Sequence, residues 1–323
     1  MRVLVAGASG AIGRALVPAL LARGHEFAGF VRSEEGGAWV ANQGAEPLIA
    51  DALDASAVMA CFERFRPEAV AHQLTALNAA VDLRDFDAVF AKTNELRTRG
   101  TDNLIGAARQ VGAHRFVAQS FCGWPYARVG GAVKTEDDPL DPNPPAAFRP
   151  TLDAIRCLEG AVTTAGFDGI CLRYGGFYGP GTSLSANGAI VEQVRRRRFP
   201  IIGSGGGIWS FIHIADAASA TVAALEGEAL GVFNVTDDEP APVAAWLPVF
   251  AAAVGAKPPL HLPAWLGRLA LPHHLYVMMT DVRGGSNARF KQTFAWRPAW
   301  ATWREGFQRG LGSTGRAHAS TKK

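Results

Sequence analysis

Cysteine is sparse in this chain, and its four copies, Cys61, Cys122, Cys157 and Cys171, never form a Cys-x-x-Cys pair. That pattern argues against a dithiol centre or a thiolate metal knuckle, and it fits a reducing, cytoplasmic setting. Eight histidines are present, but none stands in a His-Glu-x-x-His arrangement, and the His273-His274 pair has no carboxylates beside it. No metal site is expected. Long apolar runs are missing too: the most apolar late segment, Ala264 to Met279, is interrupted by Gly267, Arg268, Pro272 and two histidines. It reads as no membrane span. The opening MRVLVAGASG has one basic residue and a short apolar run that ends in glycines, unlike a secretory leader. A large charge imbalance is also lacking, since 32 Lys and Arg against 29 Asp and Glu leave a formal net charge of +3. Nucleic acid and membrane surfaces are therefore not expected partners.

What is present is an alternation of periods. Arg2–Ala6, Glu26–Val31, Pro47–Ala50, Glu68–Gln73, Arg115–Gln119 and Gly169–Arg173 are short β-like runs. Helical stripes separate them, as in Ile12, Leu16, Ala19 and Leu20, or Leu104, Ala107, Ala108 and Val111. Alternating strands and helices predict an α/β fold, a Rossmann-type doubly wound parallel sheet. Beyond residue 178 the chain turns to loops and short strands. The expected organisation is a dinucleotide-binding domain over 1–177, with return segments from 210–240, and a smaller C-terminal substrate-binding lobe over 178–312. The polar tail at 313–323 is expected to fray.

The most specific motif is VLVAGASGAIGRAL, a strand that runs through small residues straight into a helix. Gly7 permits the tight turn, Gly10 admits a pyrophosphate against the backbone, and Gly13 lets helix and strand pack closely. Ser9, Ala11 and Ile12 complete the cradle, whose helix N-terminus offers free N–H groups and a positive dipole to phosphates. The spacing is Gly-x-x-Gly-x-x-Gly rather than Gly-x-Gly-x-x-Gly. Arg32 and Ser33 end the second strand, where a carboxylate would grip the ribose of NAD and a basic group accommodates the 2′-phosphate of NADP. They favour NADP, with NAD kept open, because Glu34 and Glu35 also suit a solvated turn of mixed charge. Asp51 and Ala52 follow the third strand, in reach of an adenine, while Asp54 suits the N-cap of the next helix.

Together with AHQLTA, Asn94 and GTDNL, FVAQS, LRYGGFYGPG, FIHIADAASA and SNARFKQTFAWRP, these motifs span residues 1 to about 310. The chain resembles the extended and atypical short-chain dehydrogenase/reductases, the NAD(P)-dependent epimerase/dehydratase-like family. The resemblance implies that Leu74 and Thr75 line the cofactor, Asn94 supports the active-site backbone, and Tyr174 to Phe177 border the nicotinamide. It also implies a homodimer formed through the helices near 82–112 and 150–165.

The departures from the family pattern carry as much information. Family enzymes pair a serine or threonine with Tyr-x-x-x-Lys, whose lysine lowers the tyrosine pKa for proton exchange. The four tyrosines here, at 126, 174, 178 and 276, are followed four residues on by Gly130, Tyr178, Thr182 and Thr280. Counting back from Glu159, the expected pair falls on Thr151 and Ile155. Ser120 and Tyr126 are left as candidate catalytic groups, although the serine position also fits Phe121 and Tyr126 also suits packing. Nucleotide-sugar members place an arginine where Trp209 stands, and an indole offers an apolar wall instead of an anion clamp. Phe121, Trp124, Tyr178 and Trp209 are thus candidate substrate contacts, with Tyr178 equally suited to a structural turn. The expected activity is NADP-dependent oxidoreduction, with hydride passing to a small, partly apolar carbonyl, imine or enone. The rivals are a nucleotide-sugar epimerase or dehydratase and a non-catalytic NAD(P)-binding sensor.

Overall fold

The computed structural model describes residues 1–77 and 83–312, so the tail read as frayed lies outside the described residues. Five strands, β1 (Arg2–Ala6), β2 (Glu26–Val31), β3 (Glu46–Ile49), β4 (Ala69–His72) and β5 (Arg115–Phe121), are joined by strands Asp168–Tyr174 and Gly231–Val235. They form one seven-stranded sheet in the spatial order Gly231–Val235, Asp168–Tyr174, β5, β4, β1, β2, β3. Every neighbouring pair is parallel. Because β1 is followed on one side by β2 and flanked on the other by β4, a crevice opens at their carboxyl ends. Such a switch point is where doubly wound sheets bind ligands.

The helices explain themselves locally. Helix α1 (Ala11–Ala22) buries Ile12, Leu16, Val17 and Leu20 on one face and stops at Arg23, with Gly24 left-handed just beyond it. Helix α2 (Glu34–Asn42) starts where the sequence also suited a solvated turn. Ser33 is its N-cap, accepting from the Gly36 N–H, and Glu34 and Glu35 lie in the first turn, favoured by the dipole. Helix α3 (Ala55–Phe65) begins at Asp54, whose carboxylate accepts from the Ser56 and Ala57 N–H groups. Helix α4 (Phe86–Glu95) and helix α5 (Thr101–Val111) are joined by a π-helical turn, Leu96–Gly100. Helix α6 (Arg149–Thr163) packs on β5 and the strand after it.

Cores lie on both faces of the sheet. One joins α1 to helix Ile214–Glu226 through Leu16, Val17, Ala217 and Ala220, and the other joins α3 and α5 through Phe62, Leu104 and Ala108. A third core, built on Trp246, Phe211, Phe250 and Phe307, belongs to the segments after Tyr178. Tyr178 is fully buried in it, so this ring is a structural member of that core and not a substrate contact. His213 serves as the N-cap of helix Ile214–Glu226, accepting from the Ala215 N–H, and its other nitrogen meets the Gly310 carbonyl. Among the described residues, no helix is long and apolar enough to cross a membrane, and no cluster of His, Cys, Asp and Glu could hold a metal ion.

One buried cation links these layers. Arg115, at the start of β5, donates to the Ala224 carbonyl at 2.7 Å and to the Ala229 carbonyl at 3.1 Å. Both carbonyls lie around the C-terminal end of helix Ile214–Glu226, which favours a positive charge. Replacing Arg115 with Met would strand both acceptors. The expected loss is about 2–3 kcal/mol, read as a lower midpoint in urea unfolding with an unchanged slope. An unaltered midpoint would show that the two carbonyls find water instead.

Candidate active site

The crevice is a cavity of about 500 Å³ that runs from the glycine loop to an aromatic wall. At one end it is lined by Gly7, Ser9, Gly10, Ala11 and Ile12, and by Arg32, Ser33, Asp51 and Ala52 from the ends of β2 and β3. Gly7 has φ +91°, a left-handed value that favours glycine, and a Cβ there would sit 2.9 Å from the Gln73 carbonyl oxygen. Its N–H is held by the Phe30 carbonyl, while Gln73 N–H is held by Ala6. The turn is thus pinned to both neighbouring strands. Gly13 faces away from the cavity. A Cβ on it would lie 2.4 Å from the carbonyl oxygens of Gly7 and Ala8, so its role is the close packing of α1 on the loop.

These residues fit a dinucleotide. The N-terminus of α1 has no side-chain cap and no acidic residue in its first turn, which leaves its N–H groups free for a phosphate. Asp51 spends one oxygen on the Leu53 N–H. Gln73 is 3% exposed and lines the cavity beside Tyr174, yet neither of its carboxamide atoms has a well-formed hydrogen bond. Buried polar atoms of this kind call for a ligand. Leu74, Thr75 and Phe177 continue the same wall. Asn94 and Tyr174 do not line it: Asn94 Nδ2 donates to Thr151 Oγ1 at 3.0 Å, and the Tyr174 hydroxyl lies 2.7 Å from Thr221 Oγ1 beneath the sheet. Asn94 therefore ties α4 to α6, and Tyr174 secures the sheet to helix Ile214–Glu226.

The two candidate catalytic groups also lie outside the cleft. Along β5 the side chains alternate, so Gln119 and Phe121 face the cavity and Ser120 faces α6. Ser120 is 1% exposed and its hydroxyl donates to Glu159 Oε1 at 2.6 Å. Arg173 closes a bidentate pair on the same carboxylate, at 2.7 and 2.6 Å. Tyr126 is 0% exposed. Its hydroxyl donates to Asn234 at 2.7 Å and accepts from Arg173 at 3.0 Å. Burial pushes its pKa well up, Cys122 adding to the rise and Arg173 opposing it, so this phenol keeps its proton. Thr151 and Ile155, at the positions counted for the tyrosine and lysine, are buried in helix packing.

The far end of the cavity is aromatic. Phe86 stacks on Phe90 with centroids 4.3 Å apart and meets Trp124 edge-on at 5.6 Å. Phe121, Trp124 and Trp209 all line the cavity, as the sequence suggested; the Trp209 N–H is held by the Met278 carbonyl at 2.9 Å. Sequence reasoning missed Gln73, Phe86, Phe90, Gln119 and Arg97. Phe86 and Phe90 share a helical face, an i, i+4 signal that was available. Arg97 resembled any surface arginine of a helix, yet it is buried at the cavity wall on the π-helical turn. Among the described lining residues there is no tyrosine, histidine or cysteine, and the one carboxylate is Asp51 on the glycine-loop side.

This geometry separates architecture from chemistry at Ser120. Ser120→Ala should lower stability by about 1–3 kcal/mol, the worth of a buried hydrogen bond to a charged group. It should leave the turnover number and the Michaelis constant essentially unchanged. Loss of turnover in a fully folded Ser120→Ala protein would return the serine to the chemistry.

Comparison with known proteins agrees with this architecture. Residues 3–236 match the NAD dependent epimerase/dehydratase family. A Streptomyces protein named 3-diazoavenalumate denitrifying reductase is 44% identical over 310 residues, covering 96% of this chain and 100% of that one. A Stigmatella aurantiaca protein, 4-hydroxy-2-methyl-3-oxo-4-farnesyl-3,4-dihydroquinoline-1-oxide ketoreductase, is 28% identical, covering 80% of this chain and 74% of its own. Among solved structures, the Thermus thermophilus UDP-glucose 4-epimerase in complex with NAD superposes with a TM-score of 0.72 at 27% identity, covering 96% and 98% of the two chains. The chain belongs to the NAD-dependent epimerase/dehydratase family, and it is an NAD(P)-dependent enzyme.

Proposed function

We propose that this protein is an NADPH-dependent reductase of a small aromatic substrate, and that it delivers hydride to a carbon requiring no proton from the protein. The observation that carries this reading is the composition of the cleft. Its substrate end is built from Phe86, Phe90, Phe121, Trp124 and Trp209, the described lining offers no phenol or imidazole as a proton donor, and its one ammonium group, Lys92, is paired with Glu95 at 3.0 Å. Reduction of a ketone to an alcohol develops charge on oxygen and is helped by such a donor. Displacement of a diazo group is different. The incoming hydride supplies the electron pair of the new C–H bond, and the C–N pair leaves with dinitrogen. An arenediazonium plus hydride gives arene plus N2, and no proton is consumed.

The printed name of the Streptomyces relative, a denitrifying reductase of a diazo compound, supports this reaction class at 44% identity over nearly the whole chain. The bound nicotinamide would supply the hydride. Gly7, Gly10 and the α1 N-terminus would hold the pyrophosphate, Asp51 the adenine, and Gln73 and Thr75 the far half of the dinucleotide. Phe86 and Trp124 would hold the arene flat and exclude water from the transfer. An epimerase is less well served, because Trp209 presents an indole face where a sugar nucleotide needs polar contacts.

With NADPH and a hydroxyarenediazonium salt, the protein should oxidise the cofactor at 340 nm above the enzyme-free rate and release one N2 per NADPH. In D2O with unlabelled NADPH, the new C–H bond should contain no deuterium. Solvent deuterium at that carbon, or turnover of aromatic ketones alone, would sink the proposal.

Arg32 supports NADPH over NADH. It is exposed at the cavity mouth beside Ser33, whose hydroxyl hydrogen is free because its oxygen serves as the cap of α2. Arg32→Asp should weaken NADPH by at least about tenfold, the scale of one lost charge-assisted contact, while NADH improves. An unchanged ratio of the two affinities would remove Arg32 as the reader of the 2′-phosphate.

A further inference from the structure

Arg97 sits on the π-helical turn Leu96–Gly100 between α4 and α5. Turns of this kind occur mostly as local bulges inside α-helices, frequently at functional sites. Its side chain lines the cavity, the residue is 5% exposed, and Nη1 is fully buried without a hydrogen-bond partner. Among the described residues the guanidinium makes no hydrogen bond and no salt bridge. A buried cation without an acceptor is expensive.

The surrounding charges do not neutralise it. Glu159 is close enough to be felt, yet its two oxygens are taken by Arg173 and Ser120. Glu136, whose side chain is also buried, pairs with Arg289 and accepts the Asn234 N–H. His72 is held neutral, its pKa lowered to about 3 by burial and then by the Arg97 charge. Two guanidiniums thus share one carboxylate, leaving one surplus positive charge at the cleft. Burial lowers the Arg97 pKa to about 10, with Glu159 opposing the drop, so the group is charged at neutral pH. The turn packs against Ala52 on the cofactor side, a Cβ at Gly100 lying 3.8 Å from the Ala52 Cβ and Asn103 Nδ2 donating to the Ala52 carbonyl at 2.9 Å, so NADP⁺ affinity is the measurement that separates a cofactor phosphate from a substrate anion.

We propose that Arg97 binds an anionic oxygen, carboxylate or phenolate, on the aromatic substrate, anchoring it while the ring lies against Phe86 and Trp124. This rests on the assignment of the aromatic end as the substrate site, and it adds that the substrate is an aromatic anion and not a neutral ring.

The test is equilibrium binding to the NADP⁺-loaded protein, which needs no turnover. Two matched pairs serve as probes: cinnamate with cinnamamide, and 4-nitrophenolate with 4-nitroanisole at a pH where the phenol is ionised. At least one anion should bind tenfold or more tightly than its neutral partner, and the pair that does so identifies the oxygen. Arg97→Met should abolish that preference while NADP⁺ affinity stays within twofold, and Arg97→Lys should keep part of it. Met removes a buried charge from a packed wall, so the variant should fold; if it does not, the wild-type pairs and Arg97→Lys decide. Equal binding of anion and neutral partner, a preference that survives Arg97→Met, or a tenfold loss of NADP⁺ affinity in that variant would each overturn the proposal. Silence in the NADPH assay with an intact anion preference would count against the reductase reading alone.

Discussion

The ion pair between Glu159 and Arg173 holds the interior of this protein in place. Glu159 comes from α6 and Arg173 from the strand Asp168–Tyr174, and the bidentate contact fixes helix to sheet. Around it gather Ser120 from β5, Tyr126 from the loop after β5, and Asn234 from the last strand of the sheet. A buried pair is stable only when its remaining donors and acceptors are satisfied: Ser120 donates to the carboxylate and the Tyr126 hydroxyl accepts from the guanidinium, while Asn234 accepts from Tyr126. The consequence is functional. A serine and a tyrosine that could have met a substrate are recruited to complete a buried polar network, where they cannot reach the cleft.

That recruitment divides the two properties that usually travel together in such folds. The cofactor end retains the constraints of a dinucleotide cradle: a left-handed Gly7, a close approach at Gly13 and an uncapped helix N-terminus. Among the described residues the reaction end is lined by no phenol. The proposed reduction at carbon matches that lining, because the hydride alone then completes the bond.

How much of this was legible in the sequence depends on the range of the interaction involved. The sheet was legible because strand and helix periods differ over a few residues, and the glycine loop because strand, turn and helix are contiguous. Asp54 announced its cap for the same reason. Ser33 did not, since the mixed charges after it suited a solvated turn as well as a helix start. Ser120 was misplaced by one position in an alternation of two, and only the contact with Glu159, 39 residues away, decides which face it takes. Tyr126 depends on partners 47 and 108 residues away. Arg97 was invisible because a π-helical turn rotates a residue off the face that a regular helix would give it, and no local pattern encodes that rotation.

The aromatic wall and the buried cation explain each other's placement. Trp209 is locked by its N–H to Met278 and packed on Trp246 with centroids 5.0 Å apart, so it presents a fixed apolar surface. Trp124 is likewise held by Phe148 at 4.5 Å. A rigid apolar slot discriminates weakly between rings of similar size, since a methylene or hydroxyl changes binding little there. A cation without an internal acceptor discriminates strongly, because a neutral ligand leaves it unpaired in a site from which water has been displaced. The wall therefore selects for shape, and Arg97 selects for charge. Placing the second requirement on a buried residue makes the penalty for the wrong substrate larger than any adjustment of the wall could.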